Sequence, residues 1–172
     1  MLWQKTAACL ATGYQIPWKI KTLSNHFAMI EIKRIEIKDP LYQQERELRN
    51  KILLRPIGVP DFGWEMNDEK SWHFVAMDKD ELIGCVVLVP LDKQSQKTQL
   101  IQMAVDNNRQ GQGIGKLLIK HLIEFSKKTG IVEIQIHSRS DITSFYTHLG
   151  FEIYGDEFVE VGIKHRHMRM FL

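Results

Sequence analysis

A chain of 172 residues is the size of one compact domain and long enough to bury a substantial core. Lys plus Arg number 23 against 21 Asp plus Glu, and a net charge of +2 gives no broad basic field for nucleic acid. No apolar run approaches the roughly 20 residues of a membrane-spanning helix, and two cysteines, Cys9 and Cys85, are too few for a disulfide framework. These features predict a cytoplasmic protein in a reducing compartment, with neither nucleic acid nor membrane as partner.

The chain opens with MLWQKTAACLATGYQIPWKIKTLSNHFA, which has no acidic residue and no sustained period. TAACLA is too short for a signal-peptide core. Residues 1–28 are therefore read as a loosely attached extension to a domain spanning 29–172, with Met29 an alternative start. MIEIKRIEI alternates isoleucine with charge and predicts a strand. Asp39-Pro40 supplies an N-cap and a proline at the first helical position. The helix that follows carries Leu41, Leu48 and Ile52 on one face and ends near Arg55-Pro56. IGVPDFGWEMNDEKS is turn-rich, with room for a short second helix or a substrate loop. WHFVAMD and ELIGCVVLVP form a hairpin, and TQLIQMAV adds a third strand in which Ile101, Met103 and Val105 alternate with Leu100, Gln102 and Ala104.

Next stands RQGQGIGKLLIKHLIEF. Ile114, Leu117, Leu118, Leu122 and Phe125 repeat with helical spacing, and Thr129-Gly130 ends the helix. IVEIQIH is a strand with Val132, Ile134 and Ile136 on one face. SDITSFYTHLG is a short helix grouping Ile142, Phe145, Tyr146 and Leu149, capped by Gly150. FEIYG and HRHMRMFL close a mixed sheet with helices on its faces.

The glycine loop before the long helix has three rival readings. A Walker A loop needs Gly-x-x-x-x-Gly-Lys-Ser/Thr, but Gln110 stands at its first glycine and Leu117 replaces the hydroxyl. A dinucleotide fingerprint starting at Gly111 and Gly113 needs glycine at Lys116, and three meander strands precede it. Gln110-x-x-Gly113-x-Gly115 remains. Side chains are absent there, so several N–H groups can converge on a diphosphate at the positive end of a helix. Glycines serving only a tight strand-to-helix turn would give the same spacing.

This motif resembles the Q/R-x-x-G-x-G/A signature of the GCN5-related N-acetyltransferase (GNAT) superfamily. The resemblance runs from about Ile30 to Leu172. QMAVDNNRQGQGIGKLL is similar to the family's fourth strand, loop and following helix, and SFYTHLGF to its F-Y-x-x-x-G-F signature. LRNKILLRPIG and GDEFVEVGIKHRHM resemble the first helix and tail of a small bacterial branch, with Lys164 where that branch usually has proline. The family's common loop arginine is Gln110 here. The resemblance implies an α/β (α+β) domain of the GNAT fold. Its mixed, mostly antiparallel sheet would have about six to seven strands, splayed between strands four and five, with about four helices on its faces. It implies transfer of an acetyl group from acetyl-CoA, as co-substrate, to a primary amine of a small molecule or peptide in a ternary complex. No metal is expected, and a homodimer is compatible with the family.

Carried over by motif, backbone groups of Met103, Ala104 and Val105 pair with pantetheine and the thioester oxygen. Gln110, Gly111, Gln112, Gly113, Ile114, Gly115 and Lys116 hold the diphosphate, and His137 ends strand five where a polar side chain often contacts the coenzyme. Tyr146 matches the tyrosine that protonates the departing thiolate, although core packing beside Ile142 and Leu149 fits its spacing as well. Candidate bases are Glu65, His73, Glu160 and His165, of which Glu160 and His165 in the tail block are preferred. His165 and His167 share a strand face without a third ligand, which favours exposed strand histidines over a metal site. His121 reads as a packed histidine. Arg49 and Arg55 face either the acceptor pocket or solvated ion pairs. Two other classes stay open: a non-catalytic acyl-CoA-binding module of the same fold, and an interaction subunit using residues 1–28.

Overall fold

The structure, a computed structural model, describes residues 30–172, so the extension read over 1–28 and its Cys9 lie outside the described residues. After β1 (Ile30–Ile35), the Asp39 carboxylate accepts the Leu41 N–H at 2.8 Å and opens α1 (Pro40–Arg49). The helix widens into one π-turn, Asn50–Leu54, and tightens into a 3-10 turn, Arg55–Ile57, which Gly58 ends. Then come β2 (Trp72–Asp78), β3 (Glu81–Pro90), β4 (Lys97–Val105), α2 (Ile114–Thr129), β5 (Glu133–Arg139), α3 (Thr143–Thr147), β6 (Glu152–Glu160) and β7 (Ile163–Phe171).

All seven strands form one sheet in the order β1-β2-β3-β4-β5-β7-β6. Every neighbouring pair is antiparallel except β4 and β5. That parallel pairing joins Lys97–Leu100 to Glu133–Ile136 and stops there. The expected mixed sheet, splayed between its fourth and fifth strands, is the observed one. Among the described residues three α-helices accompany it rather than about four. The turn-rich segment after α1 holds only a further 3-10 turn, Asp68–Lys70.

The sheet carries a core on each face. On one, Leu118, Ile119 and Leu122 of α2 pack with Phe74, Ile83, Leu100, Ile134 and Met168, together with Tyr146 beside α2. On the other, Leu48 of α1 joins Ile35, Val75, Met77 and Cys85, with Leu41 and Ile52 packed against them as the sequence predicts. Gly84 of β3 sets the height of α2. A Cβ there would lie 3.0 Å from Ile114 Cγ2 and 3.3 Å from the Ala104 carbonyl, so glycine lets the first turn of α2 come down onto the sheet.

Three side-chain assignments differ from the expected periods. Val132 is 46% exposed and precedes β5, because its N–H and that of Glu133 both turn to the Gln96 carbonyl; Ile131 fills the core instead. Ile142 lies in a 3-10 turn before α3 and is 40% exposed, so it does not share the Tyr146 face. The alternation in β4 breaks at a bulge: Cys85 opposes Ala104, yet Val87 opposes Ile101. Leu100 therefore belongs to the α2 core and Ala104 to the α1 core, although their even spacing predicts one face.

Candidate active site

The β4 bulge and the short β4–β5 pairing together make a gap in the sheet. Past Leu100, β4 has no strand on its β5 side, and Ile101–Val105 present a main-chain edge there. Such an edge can take an extended ligand as an added strand. Met103 and Val105 pack toward the α2 core, whereas Gln102 turns the other way and sits at φ +50°.

The glycine loop closes the end of that gap. Asp106 starts it by accepting the N–H of Asn108 at 3.0 Å and, through its carbonyl, that of Arg109 at 2.8 Å. Arg109 pairs outward with Glu81 and Asp78, and Lys51 pairs with Asp106, so the base of the loop is pinned by charge. The Gln110 side-chain amide donates to the Val105 carbonyl and to Asn107 Oδ1, both at 3.1 Å, folding the loop back onto β4. Gly111 and Gly113 stand at φ +74° and +81°, a left-handed conformation that costs other residues about 1–2 kcal/mol. The Leu117 N–H reaches the Gly113 carbonyl at 3.1 Å; the amides before it are the first-turn donors of α2 and have no intrahelical partner. Gly115 brings three elements together: a Cβ there would lie 3.5 Å from Phe145 and 3.6 Å from Met103. A pocket of about 250 Å³ opens beside it, lined by Lys116, Ser144, Phe145, His148 and Leu149.

Tyr146 is 3% exposed, in edge contact with Phe145 and Phe151. Its hydroxyl has no hydrogen-bond partner among the described residues. Burial alone pushes its pKa above the ordinary phenol value, which keeps it protonated at neutral pH. The ring packs in the core as its spacing allows, although Ile142 is not among its neighbours.

At Gly115 the glycine loop's helix meets Met103 of β4 and Phe145, the neighbour of Tyr146, and the sequence matches say which family has this fold. The family described as Acetyltransferase (GNAT) domain matches residues 57–172, more than half of the chain. The chain belongs to the GNAT acetyltransferase family. It is 29% identical over 97 residues to N-acetyltransferase 8B of Homo sapiens, a match covering 53% of this chain and 43% of that protein. The chain thus spans less than half the length of this relative. Among solved structures, an acyl-CoA N-acyltransferase from Pseudomonas aeruginosa superposes with a TM-score of 0.73 at 16% identity, over 82% of this chain and 99% of that one. A GNAT family acetyltransferase from Elizabethkingia anophelis, solved with acetyl-CoA bound, gives 0.65 at 23% identity, over 84% and 99%. At these identities the superpositions establish the fold.

Within this GNAT domain the candidate bases separate sharply. Glu65 is held in a two-pronged pair with Arg46 at 2.6 and 2.8 Å. His73 is 1% exposed, with Nδ1 3.0 Å from both Glu45 oxygens and Nε2 3.0 Å from the Asp68 carbonyl. It is a structural histidine and out of reach of a substrate. His165 is 8% exposed and His167 half-buried, which overturns the expectation of exposed strand histidines. His165 Nδ1 lies 2.8 Å from the Ile163 carbonyl, and His167 stacks on Phe158 at 4.2 Å. Burial, with His137 alongside, holds the His167 pKa below the ordinary value. No three ligating side chains converge for a metal among the described residues.

His137 is the first β5 residue beyond the last β4 pair, and its ring is in edge contact with His167 and Phe158. Its Nδ1 lies 3.3 Å from Glu160 Oε2, so the structure joins two residues that the sequence analysis assigned separately. His121 packs edge-on to Phe74, as expected of a packed histidine. Arg55 is an exposed ion-pair residue, bonded to Glu47 and Asp61.

Arg49 shows what sequence reasoning missed. It is 2% exposed, forked onto Asp68 at 3.2 and 2.6 Å and bonded to Gln102 Oε1 at 2.5 Å. Asp68 also accepts the Tyr42 hydroxyl at 2.8 Å, and Glu45 lies 3.9 Å from Arg49 Nε. Burial disfavours the guanidinium charge, but Asp68 and Glu45 outweigh it and raise the pKa. Burial likewise opposes protonation of His73, and the Glu45 carboxylate overrides it, so that pKa too is raised. Two carboxylates and two basic groups therefore balance in one buried cluster beneath β4. Nothing in the local pattern of Asp68, within a turn-rich segment, signals this role.

Proposed function

We propose that this protein transfers an acetyl group from acetyl-CoA to a primary amine of a small molecule or peptide. The observation that carries the reading is the meeting of an unpaired β4 edge with a glycine-built helix start. One can pair with an extended pantetheine arm, and the other offers clustered amides to a diphosphate. The acetyl-CoA seen in the Elizabethkingia protein supports it by likeness of fold.

In this reading the Gln110–Lys116 amides and the α2 dipole hold the diphosphate. Main-chain groups of Met103, Ala104 and Val105 hold the arm and polarise the thioester carbonyl. The amine must arrive uncharged, and the His137–Glu160 pair serves that need. Glu160 fixes the His137 ring through Nδ1, leaving Nε2 to accept an ammonium proton. His165, the candidate preferred from the sequence, likewise keeps Nε2 free but is only 8% exposed. As the C–S bond of the tetrahedral adduct breaks, the Tyr146 hydroxyl donates toward the developing thiolate. The ammonium proton taken by His137 leaves to solvent, the second proton shed by the adduct nitrogen restores the Tyr146 hydroxyl, and the products are an amide and free coenzyme A. A reducing cytoplasm suits a chain whose described cysteine, Cys85, is a buried free thiol.

The test pairs calorimetry with a thiol-release screen. Coenzyme A and acetyl-CoA should bind, and some primary amine should accelerate thiol release from acetyl-CoA. Binding without release across a broad amine panel would favour the non-catalytic acyl-CoA-binding module. Absence of binding at millimolar ligand would refute both.

A further inference from the structure

Gln102 is the one residue of β4 with a left-handed backbone, and it stands where the β4 register slips against β3. A non-glycine side chain rarely adopts that conformation unless its surroundings fix it. Here both ends of the side-chain amide are held. Oε1 accepts from Arg49 Nη1 at 2.5 Å, and Nε2 donates to the Trp64 carbonyl at 2.8 Å. Arg49 in turn is immobilised by Asp68 and Glu45, with Tyr42 and His73 completing the cluster. The anchor is therefore built from four separate stretches of chain: α1, the segment from Trp64 through the 3-10 turn that begins at Asp68, β2 and β4.

The bulge has two effects. It turns Met103 and Val105 toward the α2 core, and it coincides with the point where β4 leaves β5. We propose that Gln102 is a positioning residue: its clamp between Arg49 and the Trp64 carbonyl holds the bulge that opens the gap for the thioester. The same clamp ties the Trp64 segment to that gap, so ordering either one orders the other. This inference rests on the acetyl-transfer reading for its functional meaning, and on the bond geometry alone for its structural content.

Three variants separate the backbone conformation from the side-chain clamp. Gln102→Gly tolerates φ +50° without a side chain, Gln102→Leu removes the polar clamp at similar size, and Gln102→Val adds β-branching that opposes the left-handed conformation. Amide hydrogen exchange of the unliganded proteins reads the structural content. In Gln102→Leu and Gln102→Val, exchange at Ile101–Val105 and around Trp64 should both speed up by about tenfold or more. In Gln102→Gly the β4 amides should stay near wild-type protection while the Trp64 segment alone loosens.

Titration with coenzyme A and acetyl-CoA reads the functional content. Coenzyme A affinity should stay within about twofold in Gln102→Gly and weaken in Gln102→Leu and Gln102→Val, whose loosened β4 edge would hold the pantetheine arm less well while the untouched glycine loop still takes the diphosphate. Protection of Ile101–Val105 by acetyl-CoA should survive in wild type and Gln102→Gly and be lost in Gln102→Leu. Wild-type-like exchange in Gln102→Leu would overturn the inference, as would equal damage in Gln102→Gly. Failure of wild type to bind coenzyme A would instead sink the acetyl-transfer reading, and the exchange data on unliganded protein would still decide the clamp.

Discussion

The two sides of the β4 edge are built by opposite means. On the α2 side, the loop from Gln110 to Lys116 works through main-chain geometry: two left-handed glycines, a helix start and a side-chain amide folding the loop back. On the α1 side, the support is made of side chains: Arg49, Asp68, Glu45, His73 and Gln102 form one buried polar cluster. A backbone-built site tolerates most changes except those that add atoms or forbid a dihedral. A side-chain-built site fails when one partner is removed, because the others are left charged and unsolvated. The contrast teaches where rigidity and recognition would reside: in the proposed reading the α2 side offers donors to a ligand, and the α1 side holds the β4 strand beside them.

The contrast is broken most severely by Arg49→Ala. Removing one member of a buried ion network costs about 3–5 kcal/mol, which urea unfolding should show as a lower midpoint with Asp68 left uncompensated. Tyr146→Phe keeps the ring and its contacts with Phe145 and Phe151 and removes only the O–H. Acetyl transfer should fall by about 10²-fold or more, with coenzyme A affinity and melting temperature nearly unchanged; steady-state rates with any accepted amine check it. Gly113→Val places a β-branched side chain at φ +81° at the start of α2. Coenzyme A binding by calorimetry should weaken by roughly tenfold or more, since about 1–2 kcal/mol of backbone strain is added before any contact with the ligand.

A pH series sharpens the α1 side. The His73 pKa is raised in the folded state, so its pairing with Glu45 stabilises fully below the unfolded value near 6.5. That contribution is lost as pH rises through the higher folded-state value. Unfolding free energy measured across this window should decline for wild type, and more weakly for His73→Gln. The smallest effect belongs to the surface. Arg55→Ala removes an exposed pairing with Glu47 and Asp61 and should leave the melting temperature unchanged within error.

The sequence carried most of the fold, because the signals that place it are local. The Asp39 cap, the α2 period and the Gly130 and Gly150 ends all arise within a few residues of the elements they bound. The glycine loop was legible for the same reason: its conformation depends on which residues lack a Cβ. The β4 bulge was not legible, since Gln102 fits an alternating strand as well as its neighbours do, and its conformation is fixed by Arg49, 53 residues earlier. The base candidates misled in a related way. Glu65 and His73 are chemically suited, but partners far along the chain, Arg46 and Glu45, already hold them. His137 and Glu160 became a pair only when β7 paired with both β5 and β6.

The parallel seam between β4 and β5 consists of four residue pairs, extended at its start by the Gln96 carbonyl, and the α2 core underlies both half-sheets. A molecule laid along the open edge would supply missing rungs to a half-fastened zip. Its binding free energy would then add to cohesion by mass action, reaching about 2.7 kcal/mol at a hundredfold excess over Kd. Protease lifetime of the purified protein should lengthen in step with coenzyme concentration, making the molecule's own persistence a readout of how well its cleft is supplied.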